Sequence, residues 1–416
     1  NNIKNNSNFK DYPTSDNILS TVPLNIVLKL FGLSCVSHNG VKLVYSWSLK
    51  KVIFLIALFF LLSSVCIYLK IQMTKTNETF RFIDSVQISY LFDLMHYIAD
   101  VIFVYKYGRQ DVHYYSSYEK IDRVLGKSFY RKINKSVLKI SIFLIVISSV
   151  HNICDYVAWY MIFGWFFPTA YFMEAIYFGL KMLSYLDIIS NCIQIKYRLK
   201  AIEDVLRKFH CGMENLPGVM VDVICHKYTK KSCDDTRNLK LNNLEFICTY
   251  RSNLVLHLKR CYLLLLEQCN YINIMFGYRV SNKLFHVFIK FIILFVNLII
   301  RILLGTLMPG EDIGYFPAIS TAMRLFTFMS ILFCTVHCCE KTYKQSKRII
   351  RMINFTLVNK KMATEVREAL KELRTLIITR PVNFTSVNFY RLEYPTLVSL
   401  ASVIITYSLL LLQYVS

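Results

Sequence analysis

The stretch Val52-Ile53-Phe54-Leu55-Ile56-Ala57-Leu58-Phe59-Phe60-Leu61-Leu62-Ser63-Ser64-Val65-Cys66-Ile67-Tyr68-Leu69 decides the fold. It carries no charge, no Gly and no Pro between Lys51 and Lys70. Such a run has no polar face to turn to water, so lipid is its solvent. A hydrocarbon core about 30 Å thick takes roughly 20 residues of helix, and helix is required because every N–H and C=O must find its partner inside the segment. Six further blocks meet the same demand, near Ser85–Tyr105, Val137–Val157, Thr169–Ile189, Leu284–Leu307, Ala318–Cys338 and Thr396–Tyr414. The second and fourth of the seven blocks are the most polar. The expected fold class is therefore an all-α membrane protein with seven transmembrane helices. The composition agrees: 416 residues are 55% hydrophobic and 18% charged, and 12 Gly with 8 Pro are too few for a fibrous or low-complexity chain.

Lys and Arg set the orientation, because cationic loops stay on the cytosolic side. Of the 49 Lys and Arg, 41 lie before the first block or in the connections after the second, fourth and sixth. The opposite side holds Lys70, Lys75 and Arg81, and five more lie inside spans. This asymmetry predicts a cytosolic N-terminus and an extracellular C-terminus, the reverse of a G-protein-coupled receptor. The chain then divides into a cytosolic N-terminal segment with an amphipathic helix (1–51), spans one to four (52–195), a cytosolic helical extension or anchor with a loop (196–283), spans five and six (284–340), a cytosolic loop and anchor helix (341–395) and the last span (396–416). The opening residues Asn1-Asn2-Ile3-Lys4 lead into no cleavable apolar core, so no signal peptide is expected. The net charge of +22 sits between apolar blocks instead of on a soluble domain, which points to anionic membrane lipid and away from nucleic acid.

Two amphipathic helices are expected outside the spans. Asn17–Gly32 places Ile18, Val22, Ile26, Leu30 and Leu33 along one side, suited to the inner interface. Within 196–283, Leu241, Leu244, Ile247, Leu254, Leu258 and Leu265 recur at helical spacing, while Glu267, Gln268 and Asn270 break the only apolar run there, so this is not an eighth span. Among 13 cysteines none falls in an outer loop, so reduced thiols are expected, and Cys211, Cys225, His226 and Cys233 lack the C-x-x-C pair of a zinc site. Of five Asn-x-Ser/Thr triplets (Asn5, Asn77, Asn134, Asn354, Asn383), only Asn77 falls outside the cell as a glycosylation acceptor. No hydrolase, nucleotide or metalloprotease motif occurs, so neither an enzyme nor a cofactor is expected.

Ionisable groups at membrane depth are costly and point to function. Asp93, His96 and Asp100 share a face of span two. Given each helix direction, Tyr90 and Asp93, His151 and Asp155, Glu174 and Tyr177, and Arg324 all fall in the outer half. They suit a pocket for a small polar or amine ligand, with Tyr90, Trp159 and Tyr177 as aromatic walls. The plainer alternative is that Arg324 and Lys181 pair with Glu174 or Asp155 to hold the bundle. Both readings stay open on the sequence. Asp93, Asp100 and Glu174 would also serve a secondary transporter as ion carriers, but no pair of related halves and no Gly/Pro-broken span accompanies them. Lys290 and Arg301 on span five can snorkel, which suits a structural role.

The last block ends on Thr406-Tyr407-Ser408-Leu409-Leu410-Leu411-Leu412-Gln413-Tyr414. Thr406 and Gln413 are seven apart and share a stripe, with Tyr407 and Tyr414 on the next. Small polar, aliphatic and amide groups in a stripe suit a narrow path that dewets when closed and admits ions when open. Ordinary interhelical hydrogen bonding would use the same groups. The pattern resembles the C-terminal signature of insect gustatory receptors, Thr-Tyr, five mostly hydrophobic residues, then Gln-Phe. Pro23-Leu24 with Lys29-Leu30-Phe31-Gly32-Leu33, and Tyr271-Ile272-Asn273-Ile274-Met275-Phe276-Gly277, resemble two further stretches of that family.

The resemblance implies an insect chemoreceptor channel fold: a homotetrameric, ligand-gated, nonselective cation channel at the plasma membrane of a sensory dendrite. One pore on the fourfold axis is lined by the last span, with Thr406, Tyr407, Leu409 and Leu410 along it and Gln413 and Tyr414 at the gate. Cytosolic extensions of spans four to six, with a short helix near Asn383–Leu392, form an anchor between subunits, and co-assembly with other gustatory receptors is a further possibility. The tastant binds each subunit among spans two to six. Two departures matter: Tyr414 adds a hydroxyl where the family has Phe, and Ser408 stands where sugar-sensing members carry an acid, which leans toward bitter plant compounds. An odorant-receptor relative would share the fold.

Overall fold

A computed structural model describes residues 22–34, 36–39, 42–45, 47–76, 84–126, 128–165, 169, 172–211, 252–275, 277, 316–386 and 390–415. The order of elements is α1 (Val22–Leu30), β1 (Val36–Asn39), β2 (Lys42–Tyr45), α2 (Leu49–Thr76), α3 (Asp84–Leu125), α4 (Tyr130–Phe163), α5 (Phe172–Cys211), α6 (252–275), α7 (Phe316–Asn359), α8 (Thr364–Thr379), β3 (Thr385–Ser386), β4 (Tyr390–Arg391) and α9 (Tyr394–Val415). Six of the seven expected blocks fall on one helix each. The fifth, Leu284–Leu307, lies outside the described residues, as do Asn77, Leu241, Leu244, Ile247, Lys290, Arg301 and the segment from Gly212 to Arg251.

Three of the described helices are long and apolar enough to cross a membrane by themselves, over Leu49–Leu69, Tyr130–Ala158 and Ile319–Asn359. The α3 and α5 helices are too polar for that test, because they carry charges that pair inside the bundle. At 42, 40 and 44 residues, α3, α5 and α7 are each about 60 Å long at 1.5 Å per residue, twice the hydrocarbon thickness. Each of the three is therefore an uninterrupted helix far longer than one crossing of a bilayer needs. Glycines end α3 and α4: Gly126 and Gly164 take φ 79° and 73° and return their N–H to Asp122 and Tyr160 four residues back, each at 2.9 Å, which stops a helix cleanly.

Cross-links fix the helix directions. The α3 and α5 helices run parallel, since Asp93 meets Lys181 and, a long way further on, Asp122 meets Arg198. The α5 and α7 helices also run parallel, through Glu174 to Arg324, Cys192 to Cys339 at 3.7 Å and Glu203 to Gln345. The α4 helix is antiparallel to them, with Asp155 beside Arg324 and Ser136 bonded to Tyr197. The large core lies along α4, α5, α6, α7 and α8. A second apolar cluster joins α1, Trp47, α2, α3 and one face of α5.

The helix beyond the spans expected around Leu254, Leu258 and Leu265 is α6, and all three side chains are buried. It lies against α8 and the turn after it. Tyr262 donates to Arg380 O at 2.9 Å, Lys259 pairs with Glu372 at 2.8 Å, and Asn273 holds both Asn383 O and Thr385 N. Val366, Leu370, Leu373 and Ile377 form the buried stripe of α8. The short helix expected near Asn383–Leu392 is corrected: that stretch contains the antiparallel strand pair β3–β4, and the helix of the connection is α8, sixteen residues long and earlier in the chain. The wholly helical expectation is likewise corrected by the β1–β2 pair, Val36↔Tyr45 to Asn39↔Lys42. Val, Leu and Tyr around Asn39-Gly40 are a hairpin signal that the apolar-block reading passed over.

The N-terminal stripe is also corrected at its end. Ile26 and Leu30 are exposed, as a lipid-interface helix requires, but Leu33 is buried with Leu28. The helix stops at Leu30, and Gly32, at φ 74°, turns Leu33 inward, where it donates to Leu28 O at 2.7 Å. A Cβ on Gly32 would stand 2.8 Å from Leu55 Cδ1 and 2.9 Å from Trp47 Cη2. Gly32→Ala is therefore expected to destabilise the protein by roughly 1–3 kcal/mol through strain and overpacking together, read as a lower melting temperature of purified protein.

Candidate functional site

At one end of the bundle, α3, α4, α5 and α7 do not close on one another. They leave a cavity of about 370 Å³ lined by Asp93, His151, Asn152, Ile153, Asp155, Tyr156, Phe172, Glu174, Ala175, Phe178, Lys181, Arg324 and Phe328. That volume lies within the range of small-molecule sites. Arg324 organises it. Its Nη1 reaches Glu174 Oε1 at 3.1 Å, its Nη2 pairs with Asp155 Oδ2, and its Nε donates to His151 Nε2 at 3.3 Å, so one guanidinium joins α7 to α4 and α5. Ser320, one turn before Arg324, donates to Asp155 Oδ1. Across the cavity Lys181 Nζ pairs with Asp93 on α3. The rings of Phe178 and Phe328 meet edge to face at 5.1 Å, and His151 stands edge-on to Phe178 at 5.2 Å.

Five of the eight expected ligand residues therefore meet in one place: Asp93, His151, Asp155, Glu174 and Arg324. Their spacing explains why. Arg324 and Phe328 are one helical turn apart, and Glu174, Phe178 and Lys181 follow the turn periodicity of α5, so each set faces one side. Tyr177 is corrected. It is buried on another face of α5, its hydroxyl 2.6 Å from Ser63 on α2, with Phe59 and Tyr97 around its ring. Tyr177 is offset only about 60° around the helix from Glu174, yet it falls on the side where α5 meets α2. Tyr90 and Trp159 lie on α3 and α4, but their side chains fall outside the described residues. Lys181 takes Asp93 as its partner instead of Glu174 or Asp155. The aromatic walls are Phe172, Phe178, Phe328 and Tyr156, which the sequence did not distinguish from ordinary apolar span residues.

The sequence model of the 7tm chemosensory receptor family matches residues 22–416. The chain belongs to that family. The receptor's fold is similar to two solved structures of the insect olfactory receptor OR5 from Machilis hrabei. One is described without a named ligand, at a TM-score of 0.60, and one is in complex with eugenol, at 0.61. In both cases identity is 13%, and the alignment covers 96% of this chain and 100% of the other. At that identity the likeness is one of fold. A search of curated proteins finds no match.

In this receptor α9 carries the terminal signature. The foot of α9 is anchored: Pro395 sits in its first turn, Thr396 Oγ1 donates to Arg391 O at 2.7 Å, and the Tyr394 hydroxyl meets His337 Nδ1 of α7 at 2.6 Å. Leu397 and Leu400 pack on the core and Ile404 is buried. Beyond that point Thr406, Tyr407, Leu409, Leu410 and Gln413 are all exposed on the single chain. Thr406 Oγ1 bonds back to Ser402 O at 3.0 Å. The side chains of Ser408 and Tyr414 fall outside the described residues.

Proposed function

We propose that this chemosensory receptor is a gustatory receptor: a seven-span, ligand-gated, nonselective cation channel of the plasma membrane, assembled as a homotetramer and opened by a small bitter plant compound. Its N-terminus is cytosolic and its C-terminus extracellular. The observation that carries the reading is α9. The helix is tied to α7 at its foot, while the half that bears Thr406, Tyr407, Leu409, Leu410 and Gln413 stands uncovered by its own chain. In a tetramer four such helices would face one another around the pore, with Gln413 and Tyr414 as the gate. The ligand would occupy the cavity around Arg324 in each subunit. Binding would open the pore only by the difference in its affinity for the two states.

Expression of this chain alone is expected to give ligand-evoked cation current, and Gln413→Ala to reduce that current roughly tenfold or more at equal surface expression, because an amide at the gate can coordinate a passing ion and a methyl group cannot. Unchanged current in Gln413→Ala would remove the gate assignment. A tag beyond Ser416 is expected to be reached by antibody on intact cells. An odorant-receptor-type channel is the second reading, favoured by the fold shared with an olfactory receptor. Three ion pairs on the cavity wall suit a water-borne polar tastant better than a neutral volatile, since buried polar groups want polar partners. A secondary transporter would instead show saturable uptake at rates far below channel current.

A further inference from the structure

Resting on the reading of the cavity as the ligand site, we propose that it takes a small organic cation, a protonated amine that also carries a hydrogen-bond acceptor on an aromatic or alicyclic body. His151 is the starting point. It is 3% exposed and lines the cavity, and its Nδ1 has no hydrogen-bond partner among the described residues. The guanidinium of Arg324 can only donate, so the Nε2 it reaches at 3.3 Å must be the accepting nitrogen. The imidazole is then neutral with its proton on Nδ1. That N–H is a buried donor on a ring that lines the cavity, touches Arg324 and stands at right angles to Phe178, and it is the group that the ligand's acceptor would meet.

Charge decides the rest of the ligand. With His151 neutral, the described residues on the wall contribute three carboxylates, Asp93, Asp155 and Glu174, against two cations, Lys181 and Arg324. Both cations are turned onto those carboxylates. Each carboxylate has about four lone-pair positions and can accept more than one donor. A ligand ammonium therefore finds acceptors, whereas a ligand carboxylate meets an excess of its own sign. Phe178 and Phe328 on the wall supply aromatic rings, which attract a cation placed over them.

The test uses the full-length receptor purified in nanodiscs, with binding measured for phenylethanolamine, its des-amino counterpart, its deoxy counterpart phenethylamine and the anion mandelate, together with the naphthyl analogue of each. The amino alcohols are expected to bind at least tenfold more tightly than their des-amino and anionic counterparts. His151→Phe is expected to remove the advantage of the hydroxyl while keeping that of the amine. Equal or tighter binding of the neutral counterparts overturns the proposal, and so does an absence of binding by every amine. Ala175→Trp, which fills the cavity, separates the two levels. If neutral compounds bind and are lost in that variant, the cavity stands and only the cation assignment falls. If whatever binds is indifferent to it, the ligand site itself is misplaced.

Discussion

Arg324→Met is expected to remove most folded receptor from the cell surface. Arg324, on α7, pairs with charges on both α4 and α5, through Asp155 and Glu174, and also reaches the His151 ring of α4. Methionine keeps the length and apolar stem but leaves two carboxylates without their counter-ion. Breaking a buried pair costs about 3–5 kcal/mol, because the remaining charge keeps its desolvation cost and loses its compensation. The side chains here are about a fifth exposed, 21%, 21% and 18%, so the lower end of that range applies. Even that is a large part of the roughly 5–15 kcal/mol that separates folded from unfolded states. Arg324→Lys should fall between, since one ammonium cannot fork to both carboxylates. The decisive comparison is the triple variant Arg324→Met with Asp155→Asn and Glu174→Gln. Neutralising the stranded carboxylates should restore surface expression and melting temperature, while binding of any cationic ligand stays lost. If Arg324→Met alone melts like the parent protein, the clamp does not hold the bundle.

The residues of this clamp could be read from the sequence because the membrane makes them conspicuous. Asp155, Glu174 and Arg324 stand in otherwise apolar runs, and alternating helix direction places them at one level. Helix rotation could not be read. Tyr177 and Glu174 differ by three residues, and nothing in the sequence says that the seam with α2 takes the tyrosine while the cavity takes the glutamate. Phe178 and Phe328 were invisible for a different reason: a phenylalanine within a span looks the same whether it faces lipid or a ligand. The pairing of Lys181 with Asp93 needed the distance between α3 and α5, which periodicity does not give. Past the ends of the spans the reading weakened further. The stripe Val366, Leu370, Leu373, Ile377 has a clear helical period and is the helix of this connection, whereas Asn383–Leu392 holds two short strands. Asp122 and Arg198 looked like ordinary loop charges because they lie beyond the apolar blocks.

That last pair is instead the other ionic layer of the bundle, and its loss should be the most damaging single change to stability. Asp122→Ala is expected to cost about 3–5 kcal/mol, with no discount, since the side chains of Arg198 and Asp122 are 0% and 1% exposed. The carboxylate takes two bonds from the guanidinium, 2.9 Å from Nε and 2.7 Å from Nη2, and a third from the Tyr130 hydroxyl at 2.6 Å. The guanidinium lies 3.7 Å over the ring of Tyr118. Burial by itself works against the charge on Arg198, and Asp122, with Tyr118 and Tyr130, together more than reverse it, so the guanidinium holds its proton more firmly than in water. Without Asp122 the main opposition to burial is gone, and the charge cannot be shed because arginine stays protonated. Asp122→Asn with Arg198→Met removes both charges and should regain most of the lost melting temperature. Arg198 lies about 36 Å along α5 from Glu174, at 1.5 Å per residue. Any Asp122→Ala receptor that does fold should therefore bind cavity ligands with unchanged affinity. A melting temperature close to the parent's would show that this buried pair does not brace the helices, and a large change in ligand affinity would show that the two ionic layers are coupled through α5.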